Sequence, residues 1–386
     1  MRSWEESLFL GLVMALGAFS IDVMLPALEA TAQRFGVTPT AAQLVVGVYF
    51  MGFALGQLLW GPLSDAHGRK GVLGWALGGF TLMGLATVLA PSFSLLLAAR
   101  VAQGFFAAAF RVTVTASIRD RYRGEAMARR LSQALLILLI APVLAPSLGV
   151  GLLLLGPWAP YAWPPLLGGL ALLWSRRFGE TLLPEARRPL ALEPLWEGAL
   201  WVVRDRRAGL YTLVLAGVFG ILYAYLNTAA TLYKGHLGLS NPAFALAFGA
   251  TGLSQAAASL LGPGLVRRLG LGKALRLALS SLLALLLLLP LQAPKPTALG
   301  LWFHLSLVLL LVTFTFPNAQ ARALEGLGRV AGLAASLTGF LSTLLASLLG
   351  TWVGQASQGE PLAFSLGLIL LGSLAFLAGQ AAERRG

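Results

Sequence analysis

The chain has no cysteine and very little charge: only 11% of its 386 residues are Asp, Glu, Lys or Arg, while 57% are hydrophobic. A soluble chain carries roughly a quarter charged residues, so a surface drawn from this composition would not stay in water. That excludes a soluble enzyme and a disordered chain, and the missing thiols exclude a disulfide scaffold. No GxxxxGK[ST] occurs, because Lys273 is followed by Ala274. ATP is therefore not held by a P-loop, and energy for any work must come from a gradient. There are three histidines; His304 has no second ligand-type residue at metal spacing and reads as packing, so no metal or other cofactor is expected. The charge of +13 would suit nucleic acid only if the basic residues formed one patch. They are spread among loops, which excludes that partner.

What is present is a series of long apolar runs. A bilayer core about 30 Å thick takes about 20 apolar residues per helix. That ruler marks twelve spans. The first six are Ser7–Pro26, Gln43–Trp60, Val72–Ala90, Phe93–Ile118, Leu131–Leu155 and Trp158–Trp174. The second six are Leu210–Tyr233, Pro242–Leu265, Ala274–Leu291, Ala298–Ala319, Val330–Val353 and Leu362–Ala381. Solid runs such as LALLLLLPL do not suit the short alternating strands of a membrane barrel. The first run lacks a small-x-small cleavage site and reads as a retained helix. With the N-terminus inside, 23 of the 28 Lys and Arg fall in cytoplasmic connections, three outside, and two, Arg100 and Arg111, within a span. Both termini are therefore expected in the cytoplasm.

The largest connection, rich in alternating charge and proline, separates a bundle at 1–175 from a bundle at 209–386, with 176–208 as linker. GPLSDAHGRKGVL at Gly61–Leu73 is echoed by GPGLVRRLGLGKAL at Gly262–Leu275, each following the second span of its half. The expected fold is all-α and integral to the membrane: twelve helices in two pseudo-symmetric six-helix bundles, a plan used by transporters.

Of fifteen acids, only Asp22 is embedded in a span. An ionised carboxylate there must pair, protonate or line a wet cavity; it reads either as a structural ion pair or as a reversibly protonated site. The fourth span carries Arg100, Gln103 and Arg111. Asp22 and Arg100 fall at matching depth, so a pair between them is expected. Arg111 either snorkels to the cytoplasm or points into a cavity and holds an anionic group. Pro142, Pro146, Gly149 and Gly151 interrupt the fifth span, which is either loosely packed or a hinge and seal. Among the membrane aromatics, Tyr49, Phe105, Tyr223 and Phe314, with the amide of Asn227, are candidate cavity residues.

These motifs together resemble the major facilitator superfamily. GPLSDAHGRKGVL is similar to its G-x-L-x-D-x-x-G-R-K loop, RVAQG at Arg100–Gly104 to its fourth-helix R-x-x-Q-G, and IAPVLAPSLGVG to the fifth-helix motif of its antiporter branch. SIDVMLPAL, IRDRY, FGETLLPEARR, FPNAQARAL and AGLAASLTGF narrow the resemblance to the Bcr/CflA drug-resistance transporters, over nearly the whole chain. The resemblance implies a proton-coupled antiporter, monomeric, in the inner membrane of a bacterium, that expels lipophilic drugs such as bicyclomycin, sulfonamides or amphenicols by alternating access. It assigns Asp22 to proton or drug binding and Arg100 to proton coupling. Asp65, Arg69 and Asp120 become a cytoplasmic latch, joined in the loop motif by Lys70, with Gly61 and Gly68 serving the turn. Three departures stand out. His67 replaces the usual loop residue, Arg111 stands where a small residue is common, and the second-half loop lacks the aspartate, which predicts a one-sided latch. Arg111 opens an alternative, export of an endogenous anionic metabolite. A membrane scaffold or sensor without flux is a third reading, which the embedded carboxylate disfavours.

Overall fold

A computed structural model of the chain describes residues 3–187, 200, 204–325 and 331–384. Part of the expected linker, 188–199 and 201–203, and Val330 at the head of the eleventh expected span lie outside the described residues. Among the described residues there is no strand. Long helices follow one another as α1 (Ser3–Asp22), α2 (Leu44–His67), α3 (Arg69–Leu89), α4 (Phe93–Arg121), α5 (Gly124–Leu153) and α6 (Ala159–Ser175). The second series is α7 (Arg206–Ala230), α8 (Asn241–Leu269), α9 (Leu271–Leu288), α10 (Ala298–Leu324), α11 (Ala331–Ser357) and α12 (Pro361–Glu383).

Eleven helical stretches among the described residues are long and apolar enough to cross a membrane. The sixth expected span also forms a helix, but α6 has only 17 residues, about 26 Å at 1.5 Å per residue. Such a helix spans by local thinning or by interfacial anchoring at its ends.

The first span is not one straight helix. Pro26 has no amide hydrogen to give the carbonyl of Asp22, and α1 stops at Asp22. A 3-10 turn, Leu25–Ala27, and a short helix, Leu28–Phe35, complete the crossing. The proline thus places the embedded acid at a helix break. At the far end of α7 the helix instead widens, into a π-helical stretch at Thr231–His236.

The chain divides into two compact units, Met1–Phe35 with Val48–Leu192, and Gly36–Gly47 with Glu193–Gly386. The short Gly36–Gly47 segment belongs to the second unit through side-chain bonds. Gln43 donates to Thr231 at 2.8 Å, Gln355 to the Thr40 carbonyl at 2.7 Å, and Ser347 to the Gly47 carbonyl at 2.9 Å. Within the first unit α3 packs on α4 and α6, and α1 on α5 and α4. Within the second, α9 packs on α10 and α12, and α7 on α11 and α10. Adding six to each helix number of the first set gives the second. The echo between the two loops is therefore matched by an echo in packing. The hinge of each loop is the same as well: Gly68 at φ 89° precedes α3, and Gly270 at φ 76° precedes α9. A side chain at either would be strained in that conformation.

Candidate functional site

Two polar clusters of the first unit contain most of the expected site residues. The inner one surrounds the break in α1. Arg100, fully buried, donates to Gln103 Oε1 at 2.7 Å and to Ser20 Oγ at 3.3 Å, and its guanidinium lies 4.4 Å from the centroid of the Tyr49 ring. Tyr49 is fixed in turn by its hydroxyl, which donates to the Gly17 carbonyl at 3.0 Å. Asp22 is 5% exposed, and Tyr49 is in electrostatic contact with both Asp22 and Arg100. The expected Asp22–Arg100 ion pair is absent: none of the ion pairs among the described residues includes Asp22. Helix geometry gives the reason. Ser20 and Asp22 are two residues apart and therefore about 200° apart around the helix, and it is Ser20 that faces α4.

The break is sealed by α5. A Cβ on Gly149 would sit 2.2 Å from the Val23 carbonyl and 3.3 Å from Pro26 Cγ, so only a glycine allows α5 this close to the residue after Asp22. Pro146 is buried and Pro142 half-buried, whereas Gly151 is exposed with nothing against it. Arg111 lies eleven residues beyond Arg100 on nearly the same face of α4, yet it is exposed.

The outer cluster is built on the Gly68 turn. Arg69 is 7% exposed and its side chain serves three acceptors: Asp65 Oδ1 at 2.6 Å, Asp120 Oδ2 at 2.9 Å and Ser64 Oγ at 3.0 Å. Glu180, from the segment after α6, accepts the backbone N–H groups of Arg69 at 2.9 Å and Lys70 at 3.2 Å. It thereby caps the N-terminus of α3, whose dipole favours a negative charge. Thr181 donates to Asp120 at 3.2 Å. Gly61 is half-buried within α2 and does not form the turn, which rests on Gly68 alone.

Burial disfavours the charge on Glu180, but backbone N–H donors from Leu182, Arg69, Thr181 and Lys70 outweigh it and hold the carboxyl below its ordinary 4.5. A group held low in the fold stabilises it fully above its unfolded value, and that contribution is lost as the pH falls through the lowered folded one. The stability difference between wild type and Glu180→Gln should therefore be constant from neutral pH down to about 5 and vanish in stronger acid. Denaturation followed across that pH range checks it.

Arg69→Ala should cost about 2–3 kcal/mol, because it leaves Asp120 and the partly exposed Asp65 without their shared cation. Arg69→Lys should restore less than half of that, since one ammonium cannot reproduce the fork that serves three acceptors. Thermal unfolding of detergent-purified variants measures both.

Comparison with known proteins places this geometry. The family model described as Major Facilitator Superfamily matches residues 8–351. The chain belongs to the major facilitator superfamily. The MFS-type transporter YdgK of Bacillus subtilis is 30% identical over 98% of this chain and 95% of its own length. A bicyclomycin resistance protein homolog of Haemophilus influenzae is 28% identical over 98% of this chain and 97% of its own. The crystal structure of a D-xylose-proton symporter superposes with a TM-score of 0.79, covering 100% of this chain and 98% of that one at 14% identity, which establishes the fold. The protein is a membrane transporter of this superfamily with the twelve-helix, two-bundle plan.

The residues expected from the sequence to line a cavity are placed unequally. Phe105 is wedged against Trp60, with ring centroids 5.3 Å apart and the Trp60 indole donating to the Phe105 carbonyl at 2.6 Å. Phe314 packs with Ala258, Ala274 and Ala278 in the apolar core of the second unit. Tyr223 stacks on Phe219, and Asn227 donates to the Tyr223 carbonyl at 2.7 Å while its own carbonyl oxygen is buried without a partner. His304 is held between Gln292 at 2.7 Å and the Leu285 carbonyl at 2.8 Å, a packing role.

The expectation that only the first-half turn gathers a carboxylate and basic partners needs correction. At the Gly270 turn, Glu383 from α12 supplies the carboxylate that the loop lacks. Arg322 Nε donates to it at 3.0 Å, Tyr211 also donates to it, and Arg276 stands 4.0 Å away. A Cβ on Gly272 would lie 3.3 Å from Glu383 Oε2, so the carboxylate sits against the start of α9, much as Glu180 sits against the start of α3. Sequence reasoning missed Glu180 and Glu383. Glu180 stands 111 positions from Arg69, and no local pattern joins them.

Proposed function

We propose that the protein is a proton-coupled antiporter that exports lipophilic drug-like molecules across a bacterial cytoplasmic membrane by alternating access, as a monomer with both termini in the cytoplasm. In this reading the bundles are 1–175 and 209–386, joined by 176–208, and the proton gradient is the energy source. Asp22 carries the proposal. It is a carboxyl buried at a helix break, in no ion pair among the described residues, and a purely structural acid at that depth would be expected to be paired. Arg100, Gln103 and Tyr49 hold the surrounding polar cluster, and Arg69 with Asp65 and Asp120 forms the latch. The name of the Haemophilus relative supports a bicyclomycin-like cargo.

The cycle proposed is protonation of Asp22 from outside, closure, proton release inside, and drug capture. Drug-triggered proton release from proteoliposomes, with bicyclomycin and an amphenicol as cargo, tests it; drug flux without proton movement would make the protein a facilitator. A second reading is export of an anionic metabolite held by Arg111, which is exposed on α4. In that case Arg111→Ala loses acidic cargo and spares neutral drugs.

A further inference from the structure

A groove of about 530 Å³ runs along the first unit between α3 and the end of α6. One end is cationic. Lys70 and Arg176 both line it and are exposed, and the Lys70 ammonium donates to the Arg176 backbone carbonyl at 3.4 Å. Glu180 is the only acid on the groove wall, and its oxygens are already committed to backbone N–H donors. The mouth therefore offers positive charge and room for an anion.

The other end is apolar and bare. Gly71 and Gly74 are one turn apart on α3, and a Cβ at either would meet nothing within 4 Å. The floor there is naked helix backbone. Trp75, 54% exposed, flanks it with its ring 5.3 Å from that of His67. Tryptophan at such a place is the side chain of a membrane–water interface, with its apolar body toward lipid.

A cationic mouth opening onto a side-chain-free apolar channel fits one chemistry, a phosphate ester carrying a hydrocarbon chain. On the orientation that the basic residues give, this end faces the cytoplasmic leaflet, whose surface is negative through anionic lipids. We propose that the groove binds an anionic glycerophospholipid, with its phosphate between Lys70 and Arg176 and an acyl chain along the Gly71–Gly74 face. A lipid seated there would brace α3 against α6 beside the Glu180 cap. The inference does not depend on what the protein transports.

The test uses the full chain, purified and delipidated in detergent and titrated with palmitoyl-oleoyl phosphatidylglycerol, with bound lipid counted by native mass spectrometry. Phosphatidylcholine of the same chains and soluble glycerol phosphate are the comparison arms. Phosphatidylglycerol should be retained in preference to both. The double variant Lys70→Ala, Arg176→Ala should weaken it about thirtyfold, from the usual worth of two cations near an anionic surface. Gly74→Leu, which fills the channel and leaves the charges in place, should expel the lipid without lowering the melting temperature in lipid-free detergent. If the double variant does not fold, Gly74→Leu decides alone. Equal retention of phosphatidylcholine, competition by glycerol phosphate as strong as by the lipid, or wild-type binding by Gly74→Leu would each overturn the proposal.

Discussion

Asp22→Asn is expected to reduce proton-coupled drug export more than a hundredfold and to leave the fold intact. Asn matches Asp in size and shape, so nothing in the packing around the α1 break has to move. Ser20 and Gln103, not Asp22, hold Arg100, so the buried cation keeps its hydrogen bonds in the variant. What disappears is the ability to carry a proton. An ionised carboxylate at membrane depth costs about 3 kcal/mol, and the neutral amide avoids that cost, so the variant should melt at the wild-type temperature or slightly above it. Asp22→Glu is the informative companion. It keeps the titrating group and displaces it by one methylene, which should return proton exchange in part. The readout is drug-triggered release of protons from proteoliposomes, with thermal unfolding alongside to separate mechanism from stability. Full coupling in Asp22→Asn would move the proton site elsewhere, and the antiport reading built on Asp22 would go with it.

The features legible in the sequence are those that depend on nearest neighbours or on composition. Poverty of charge and runs of apolar residues mark the spans, because lipid tolerates little else. Asp22 stands out as the only embedded acid, and the break that positions it can be read from Pro26, four residues on. The glycines of the two loop turns are equally visible. The hidden features are those made by distant segments meeting. Arg69 opens α3 and Glu180 follows α6, 111 positions on, and Arg322 reaches Glu383 over 61 positions. Neither pairing has a linear signature. The direction a side chain faces is hidden for the same reason. Ser20 rather than Asp22 faces Arg100 because of the rotation at which α1 packs, and Phe314 joins the core because the small residues at Ala258, Ala274 and Ala278 leave it space. Arg100 and Arg111 share a face of α4 by arithmetic, but only the packing of neighbours makes one buried and the other exposed.

Gly104→Ala is expected to destabilise the protein by about 3 kcal/mol and to disable transport together with stability. The reason lies where α2 crosses α4. A Cβ on Gly104 would fall 2.0 Å from the Tyr49 carbonyl and 3.1 Å from the Phe53 amide nitrogen. The crossing is reciprocal, for a Cβ on Gly52 would fall 1.8 Å from the Val101 carbonyl. Both obstacles are backbone, which cannot swing aside as a side-chain tip can, so the two helices must separate. Tyr49 moves with α2 while Arg100 stays on α4, and the stacking at 4.4 Å between them is lost. One methyl group thus reaches the proposed proton site through the fold and not through the chemistry. Gly264→Ala is the control. It also lies within a long helix, and its Cβ would meet nothing within 4 Å. There the substitution should be neutral or should stabilise by about 0.5–1 kcal/mol, through helix propensity and a less flexible unfolded chain. Melting temperatures of both variants, with drug flux at a temperature where each is folded, separate the two effects. If Gly104→Ala melts like Gly264→Ala, the α2–α4 crossing is looser than this geometry requires, and Tyr49 does not owe its place over Arg100 to the glycine.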